Sequence, residues 1–197
     1  MHNVAILLFD GVEVLDFAAP FETLSLAGTR IVPGTISVRT VGVKSSVTAR
    51  NGLVVCPSAA DLPAAPPDVL VLPGGPGVEP LIESDPRAMM WIRTAARKAT
   101  WVMSICSGAL FLASSGLLKD RRAITHRSDI AALKALEPTV SVQEGKRFVR
   151  EGNVITSAGI SAGLDASLFL VARLLGEEAA RNTADWMEYR SDAWFTG

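Results

Sequence analysis

The sequence predicts an α/β fold, a flavodoxin-like three-layer sandwich in which helices cover both faces of a mostly parallel central sheet. Three observations predict it: apolar runs of strand length recur along the chain, segments with helical periodicity separate them, and glycine or proline marks most junctions. Continuous apolar runs are typical of strands buried on both faces, and their alternation with helices is typical of parallel sheets. The chain has 197 residues, of which 49% are hydrophobic, so it can bury this core as one domain over residues 1–197.

The predicted elements follow one another in a regular order. Strands are predicted where apolar runs end at turn signals, at residues 3–11, 35–43, 53–59, 68–72, 100–105 and 122–126 and in short segments within 139–159. Helices are predicted where apolar residues recur with helical periodicity, at residues 20–28, 85–99, 107–118, 128–138, 161–176 and 177–190. A polar turn around Asn51 and Gly52 joins the second and third predicted strands.

Capping signals predict several helix ends. Pro20 suits the first position of its helix, and Gly28 suits the position after the last turn. Asp85 is a capping residue that is followed by a first-turn proline, Pro86. Pro138 ends the short helix that precedes it. These signals place helices between successive strands, as a parallel sheet requires.

Composition and charge exclude several classes of function. The 19 basic and 20 acidic residues are well mixed and give a net charge of -1, so nucleic acid is not an expected partner. No segment is long and apolar enough to span a membrane, and residues 1–8 lack a basic leader. Cys56 and Cys106 stand in unrelated contexts, which predicts a reducing cytoplasm, and two histidines without metal-ligand spacing predict no metal. We expect a small molecule or a second copy of the chain as the partner.

The candidate site contains a cysteine between a strand and a helix. Sites in parallel sheets lie beyond the carboxyl ends of the strands, and this rule selects the loops after Phe9, Leu72, Ile105 and Thr125. Cys106 follows the third of these positions, and Ser104 and Gly108 provide the small residues that a sharp nucleophile elbow needs. The following helix is expected to lower the pKa of the thiol, and the Ser107 amide to stabilise negative charge. The alternative is a small buried hydrophobe, which is also how we interpret Cys56, as a half-buried strand residue.

The glycine-rich segment after the strand at 68–72 is a second candidate feature. Gly74 and Gly75 allow a close backbone approach, and their amides are expected to face Cys106 as additional donors. A simple turn is the alternative for this segment. No lysine and hydroxyl pair follows the glycines, so the segment is not a nucleotide-binding P-loop.

Two further residues are candidates for acid–base chemistry or for the pocket wall. Asp16 lies between two apolar residues, where burial would raise its pKa and make it a general acid or base, although a helix cap fits equally well. Glu13 and Glu22 are expected on solvated faces. His126 is expected to line the pocket rather than to act as a base in a triad; the alternative is a loop histidine bonded to the backbone. Ser128 is a candidate cap for the next helix.

These motifs together resemble those of the ThiJ/PfpI family, whose fold is similar to class I glutamine amidotransferases. The resemblance covers nearly the whole chain and is carried by "AILLFDGVEVLDFAAPFE", "VLVLPGGPG", "SICSGALFLASSGLLKDRRAITH", "TSAGISAGLDASLFLVARLLG" and "ADWMEYR". The details look most like isocyanide hydratases and like the sensor domains of AraC-type regulators. Asp16 stands where many members carry Glu, and Ser107 stands where the protease-like branch has His and the hydratase-like branch usually has Thr. No histidine follows His126, so an amidotransferase triad cannot be assembled.

The resemblance implies a cysteine-dependent hydratase that converts an isocyanide and water to an N-formamide without a cofactor. Cys106 would be the nucleophile and Asp16 the acid–base residue, and amides near Gly74, Gly75 and Ser107 would orient the reacting groups. The first alternative is a small-molecule or redox sensor without turnover. The helix-turn-helix domain that follows this module in AraC-type regulators is not expected in this chain. The second alternative is glyoxalase- or deglycase-like chemistry.

The resemblance also implies a homodimer. Four large aromatic side chains are expected to offer apolar surface to a partner subunit: Trp91, Trp186, Trp194 and Phe195. The sequence does not identify which of them would lie in an interface.

Overall fold

A computed structural model describes residues 1–195, so the last two residues of the predicted domain 1–197 lie outside the described part of the chain. The strands within that part are β1 (His2–Leu8), β2 (Ile36–Gly42), β3 (Val47–Thr48), β4 (Val54–Val55), β5 (Val69–Leu72), β6 (Trp101–Ile105), β7 (Arg122–Ala123), β8 (Ser141–Val142), β9 (Phe148–Glu151) and β10 (Val154–Ser157). Six of them form the central sheet in the order β2-β1-β5-β6-β10-β9. Every neighbouring pair in this sheet is parallel except β10 and β9.

The helices divide into two groups that cover the sheet. They are α1 (Val14–Leu26), α2 (Val78–Ser84), α3 (Pro86–Lys98), α4 (Ala109–Ser114), α5 (Ile130–Leu136), α6 (Ala162–Leu175) and α7 (Glu177–Trp186). Helix α6 packs against α1 and α7, whereas α2, α3 and α4 pack against one another. The three-layer α/β sandwich predicted from the sequence is therefore confirmed. None of the helices in residues 1–195 is long and apolar enough to cross a bilayer.

The central strands are continuously apolar because helices cover both of their faces. All four residues of β5 are fully buried, and so is the stretch of β1 from Val4 to Leu8. Side chains of successive residues point to opposite faces of a sheet, so a strand covered on only one face would alternate with polar residues. The carboxyl ends of β1, β5 and β6 consequently meet at one edge of a rigid, buried scaffold.

Helix α1 begins six residues earlier than the proline signal predicted. Pro20 lies inside the helix, and Glu13 occupies the N-cap position without a side-chain capping bond. Pro20 has no N–H to donate to the Asp16 carbonyl, and packing of α1 against α6 offsets that loss. Gly28 lies within a π-helical turn, where a Cβ would come 2.5 Å from the carbonyl oxygen of Ile36. Asp16 is thus in the first helical turn and is not a helix cap.

The segment between β2 and β5 also differs from the prediction. The strand predicted at 35–43 belongs to the main sheet as β2, and the turn around Asn51 instead joins the short antiparallel strands β3 and β4. Asn51 has a φ of 65°, which short polar side chains tolerate. Cys56 follows β4 and is exposed, so its assignment as a half-buried strand residue was wrong.

The four aromatic residues expected at the surface fall into two pairs. Trp194 is only 3% exposed, and the indole N–H of partly buried Trp91 donates a hydrogen bond to the carbonyl of Pro63 at 2.9 Å. Trp186 and Phe195 are exposed. Trp91 and Trp194 therefore pack within this chain, and only Trp186 and Phe195 of the four remain as exposed aromatic side chains.

Candidate active site

Cys106 occupies a sharp turn between β6 and α4. Its φ is 57°, in the left-handed region that costs a residue with a side chain about 1–3 kcal/mol. A short 3-10 turn, Cys106–Gly108, connects the strand to the helix. A Cβ on Gly108 would lie 2.0 Å from the carbonyl oxygen of Leu72, so only glycine fits there. This geometry is the nucleophile elbow that the spacing of small residues predicted.

Neighbouring segments hold the elbow in its strained conformation. The Cys106 N–H donates to the Ala158 carbonyl at 3.2 Å. The Thr125 hydroxyl, which is buried, donates to the Cys106 carbonyl at 2.8 Å. Both backbone polar groups of Cys106 are therefore satisfied by loops that follow other strands, and this bonding stabilises a backbone angle that would otherwise relax.

Asp16 is a buried carboxylate with a single strong partner. Its side chain is 0% exposed, and Oδ2 accepts a hydrogen bond from the Gly74 N–H at 3.0 Å. Oδ1 makes no hydrogen bond of ordinary geometry within the described residues. Burial raises the pKa of Asp16 to about 7; the Gly74 N–H lowers it, the charge of Glu13 raises it and the Cys106 thiol lowers it. The carboxyl group can therefore both accept and donate a proton near neutral pH.

The Cys106 thiol is held in its protonated form, contrary to the expectation of a helix-activated thiolate. Its pKa is raised to about 12, mainly by burial and also by the charges of Asp16 and Asp129, whereas hydrogen bonds from the Ser107 and Ile160 N–H groups lower it. Helix α4 is only six residues long and is preceded by the 3-10 turn, so its dipole is a weak source of positive potential. The thiol can lose its proton most readily to the adjacent Asp16 carboxylate.

The two glycines of the loop after β5 help to build the site. Their amides were expected to be free donors that face Cys106, but both are already bonded within the chain. The Gly74 N–H donates to Asp16, and the Gly75 N–H donates to the Ser107 hydroxyl at 2.9 Å. A Cβ on Gly74 would lie 2.6 Å from Ser107 N and 2.9 Å from Cys106 Cβ. The loop therefore packs directly against the elbow and fixes Asp16 beside the thiol.

Ile160 is a site residue that the sequence did not identify. It lies in the loop between β10 and α6, and its N–H interacts with the Cys106 sulfur together with that of Ser107. Its φ is 48°, which is rare for a β-branched residue. The loop reaches the thiol because β10 is the sheet neighbour of β6. The run of small residues around Ile160, "SAGISAG", was the available signal for a close backbone approach.

A cavity of about 350 Å³ opens above Cys106. Glu13 lines it together with Arg50, whose guanidinium donates to Glu13 Oε2 at 2.8 Å. The Glu13 side chain is only 13% exposed, so its assignment to a solvated face was wrong, whereas Glu22 is exposed as expected. Asp16 is not among the residues that line the cavity.

His126 lies in the cavity wall, in the loop after β7. Its Nδ1 is 2.7 Å from Ser128 Oγ, which donates to Asp129 Oδ1 at 2.8 Å. Gly159 packs so closely against the ring that a Cβ there would lie 2.1 Å from Cδ2. His126 itself caps the 3-10 turn Arg127–Asp129. The N-cap of α5 is Asp129, without a side-chain capping bond, so Ser128 does not have the capping role that we expected.

The structure brings all the predicted site residues to one edge of the sheet. They come from α1, the loop after β5, the elbow and the loop after β7, and they are Asp16, Gly74, Gly75, Cys106, Ser107 and His126. The sequence did not identify Asp129, Arg50 and Ile160. No motif or regular spacing links these three residues to the cysteine.

A cysteine in a strained elbow above a mostly parallel sheet, with a buried carboxyl group beside it, is typical of the α/β proteins that carry a nucleophile elbow. Comparison with known sequences identifies the family. Residues 2–173 match the DJ-1/PfpI family, and the chain belongs to that family.

Relatives within the family have different activities. The chain is 35% identical over 198 aligned residues to the isonitrile hydratase of Pseudomonas putida, a match that covers 95% of this chain and 78% of that protein. It is 32% identical to the HTH-type transcriptional regulator CdhR of Pseudomonas aeruginosa, over 88% of this chain and 51% of the regulator. A ThiJ/PfpI family structure from Pseudomonas syringae superimposes with a TM-score of 0.84 at 30% identity, covering 97% of this chain and 76% of that one.

Proposed function

We propose that this protein hydrates an isocyanide to an N-formamide, with Cys106 as the nucleophile and Asp16 as the acid–base residue. The observation that carries the proposal is the buried Asp16 carboxyl group, with a pKa near 7, beside the only buried thiol of the described residues. The similarity to an isonitrile hydratase supports the same choice. The free thiol suits a reducing cytoplasm, where we propose that the protein acts.

The first step joins the sulfur to the terminal carbon of the isocyanide. Asp16 accepts the thiol proton as the sulfur attacks, and it then delivers the proton to that carbon, which gives a thioimidate. The Ser107 and Ile160 N–H groups interact with the sulfur and stabilise the negative charge that develops on it. The strained elbow places the thiol in the lining of the cavity, where a bound ligand would meet it.

The second step returns the enzyme to its starting state. A water molecule adds to the thioimidate carbon; one of its protons goes to the nitrogen, and Asp16 transfers the other to the departing sulfur. The carbon–sulfur bond then breaks, and the products are the N-formamide and the free thiol. The net reaction consumes one isocyanide and one water, and it requires no oxidant or reductant.

The test is an isocyanide assay with matched cysteine variants. We expect N-formamide production by the wild type and by Cys56→Ser, because Cys56 is exposed outside the cavity. We expect none from Cys106→Ala, and a wild-type adduct that is heavier by the mass of the isocyanide when the reaction is quenched early. The proposal fails if the wild type shows no turnover across alkyl and aryl isocyanides, or if Cys106→Ala keeps its activity.

A second candidate is a sensor that uses the same thiol without turnover. The similarity to a transcriptional regulator is consistent with it. Stoichiometric oxidation of Cys106 at low peroxide, combined with no isocyanide turnover, is the result that supports sensing over hydration.

We also propose that the protein is a homodimer that acts on a small molecule. The support is the family to which the chain belongs and the apolar side chains that remain exposed on α1, Leu15 and Phe21. Light scattering coupled to size exclusion is the measurement. A monomer at micromolar concentration contradicts this proposal.

A further inference from the structure

We infer that Cys106, His126 and Asp129 form a binding site for a thiophilic divalent cation such as Zn²⁺, and that the bound cation blocks the thiol. A sulfur, an imidazole nitrogen and a carboxylate oxygen from these residues lie within 4.8 Å of one another. Tetrahedral zinc binds such ligands at about 2.0–2.3 Å, which places them about 3.5 Å apart. A closure of roughly 1 Å therefore completes a three-ligand site with one open position.

The three ligand groups are not committed elsewhere. Cys106 is a free thiol. Within the described residues, the hydrogen bonds of the His126 ring engage Nδ1, and those of the Asp129 carboxylate engage Oδ1. His126 Nε2 and Asp129 Oδ2 remain as donors of electron pairs to a metal. His126 and Asp129 are only partly buried, so small side-chain rotations can close the site.

A second layer of hydrogen bonds already orients two of the ligands. Ser128 Oγ lies 2.7 Å from His126 Nδ1 and donates to Asp129 Oδ1 at 2.8 Å. Metal binding through Nε2 requires the tautomer with the ring proton on Nδ1, so Nδ1 then donates to Ser128 Oγ and gives up the 3.2 Å hydrogen bond that it accepts from the Ser128 N–H. Metal-ligating histidines usually have such a partner on the other ring nitrogen, because it fixes the tautomer and the ring orientation.

The charge of the cavity also favours a cation. Its lining carries the carboxylates of Glu13, Glu79 and Asp129 but only one arginine, Arg50. Arg50 is already paired with Glu13 at 2.8 Å, so its charge is partly neutralised. A cavity lined mainly by one sign of charge attracts ions of the opposite sign.

Metal binding and catalysis exclude each other at this thiol. Coordination replaces the S–H bond by a sulfur–metal bond and releases the proton to solvent, so the sulfur lone pair is no longer free to attack a carbon. The sequence predicted no metal, because it has only two histidines and two cysteines and shows no CxxC or HxxxH spacing. The site is formed only when the loop after β7 packs over the elbow.

The test is a titration of the reduced, metal-free protein with Co²⁺, followed by displacement with Zn²⁺. We expect one Co²⁺ per chain and a thiolate-to-cobalt charge-transfer band in the wild type and in Cys56→Ser, and no band in Cys106→Ser. His126→Ala and Asp129→Asn should each weaken binding by at least about tenfold while Cys106 still reacts with a thiol reagent. That thiol measurement distinguishes a lost ligand from a misfolded protein.

The blocking effect is measured in Cys56→Ser, in which Cys106 is the remaining cysteine. We expect Zn²⁺ to slow alkylation of Cys106 by iodoacetamide, and chelation to restore the original rate. The inference is overturned if no charge-transfer band forms, if His126→Ala and Asp129→Asn bind Co²⁺ like the wild type, or if saturating Zn²⁺ leaves alkylation unchanged. None of these readouts uses an isocyanide, so their outcome does not depend on whether the proposed hydration is correct.

Discussion

Two aspartates of this chain are equally buried yet have opposite surroundings. Asp16 and Asp165 are both 0% exposed, and each lies in the first turn of a helix, α1 and α6 respectively. Asp165 Oδ2 accepts a hydrogen bond from the Arg147 guanidinium at 2.5 Å, while Oδ1 accepts from the hydroxyls of Tyr189 and Ser191 at 3.2 and 2.8 Å. Asp165 is thus a fully satisfied anion that ties the C-terminal segment to α6.

Asp16 has no such set of partners. It accepts one backbone hydrogen bond, from Gly74, and no cation is paired with it in residues 1–195. The cost of burying its charge therefore appears as a raised pKa. The contrast shows that burial alone does not make a carboxyl group reactive. A compensating cation makes it structural, and the absence of one leaves it ready to exchange a proton.

The largest expected effect that separates the two residues is on catalysis. Asp16→Asn should lower kcat/KM for an isocyanide by about 10² to 10⁴, because an amide cannot accept the thiol proton. Asp165→Asn should leave the activity of the folded fraction close to wild type. The measurement is the initial rate of N-formamide formation at several isocyanide concentrations. Equal losses in the two variants contradict the acid–base role of Asp16.

The second effect is on the pH dependence of stability. Because the pKa of Asp16 is raised from 3.8 to about 7 on folding, its contribution is present below pH 3.8 and is lost as pH rises through about 7. The difference of about three pKa units corresponds to at most about 4 kcal/mol, and we expect about 2–4 kcal/mol. Urea unfolding between about pH 4 and about pH 8 measures it.

Asp16→Asn is the matched control for this pH effect. The amide does not ionise, so the wild type should lose stability relative to the variant as pH rises. Comparison of the two proteins cancels the contributions of the other titrating groups. Parallel stability curves for the wild type and Asp16→Asn contradict the raised pKa.

The third effect is on the stability provided by the Asp165 cluster. Asp165→Ala should lower the free energy of unfolding by about 2–3 kcal/mol, because it removes three hydrogen bonds and leaves Arg147 unpaired. The Arg147 side chain is 42% exposed and can be hydrated, which keeps the loss below that of a fully buried pair. Urea unfolding near neutral pH measures the loss. An unfolding free energy like that of the wild type contradicts a structural role for Asp165.

The smallest effect compares one serine from each region. Ser107→Ala should cost about 1 kcal/mol, because it removes the acceptor for the partly buried Gly75 N–H. Ser167→Ala in α6 should change stability by less than about 0.5 kcal/mol, because its hydroxyl donates only to a helix carbonyl at 2.7 Å. Thermal unfolding resolves the difference. Similar losses in both variants indicate that the Ser107 hydroxyl does not support the glycine loop.

Much of this protein was determined by local sequence patterns. The apolar runs predicted the buried strands, and the small residues around Cys106 predicted the elbow, because a sharp turn and a doubly covered strand each impose local requirements. The apolar neighbours of Asp16 indicated a raised pKa as one of two alternatives. The early start of α1 was missed, since Pro20 within a helix is tolerated only through packing against α6.

Other properties of the site were decided by tertiary structure alone. The adjacency of β10 and β6 brings the Ile160 amide to the sulfur, and packing of the glycine loop gives the Gly74 amide to Asp16. The pKa of Cys106 was predicted to be lowered but is raised, because burial and the charge of Asp16 outweigh the dipole of a short helix. Local sequence encodes what a residue's neighbours in the chain require. Electrostatic potential depends on distances through space, and these distances exist only once the strands have paired.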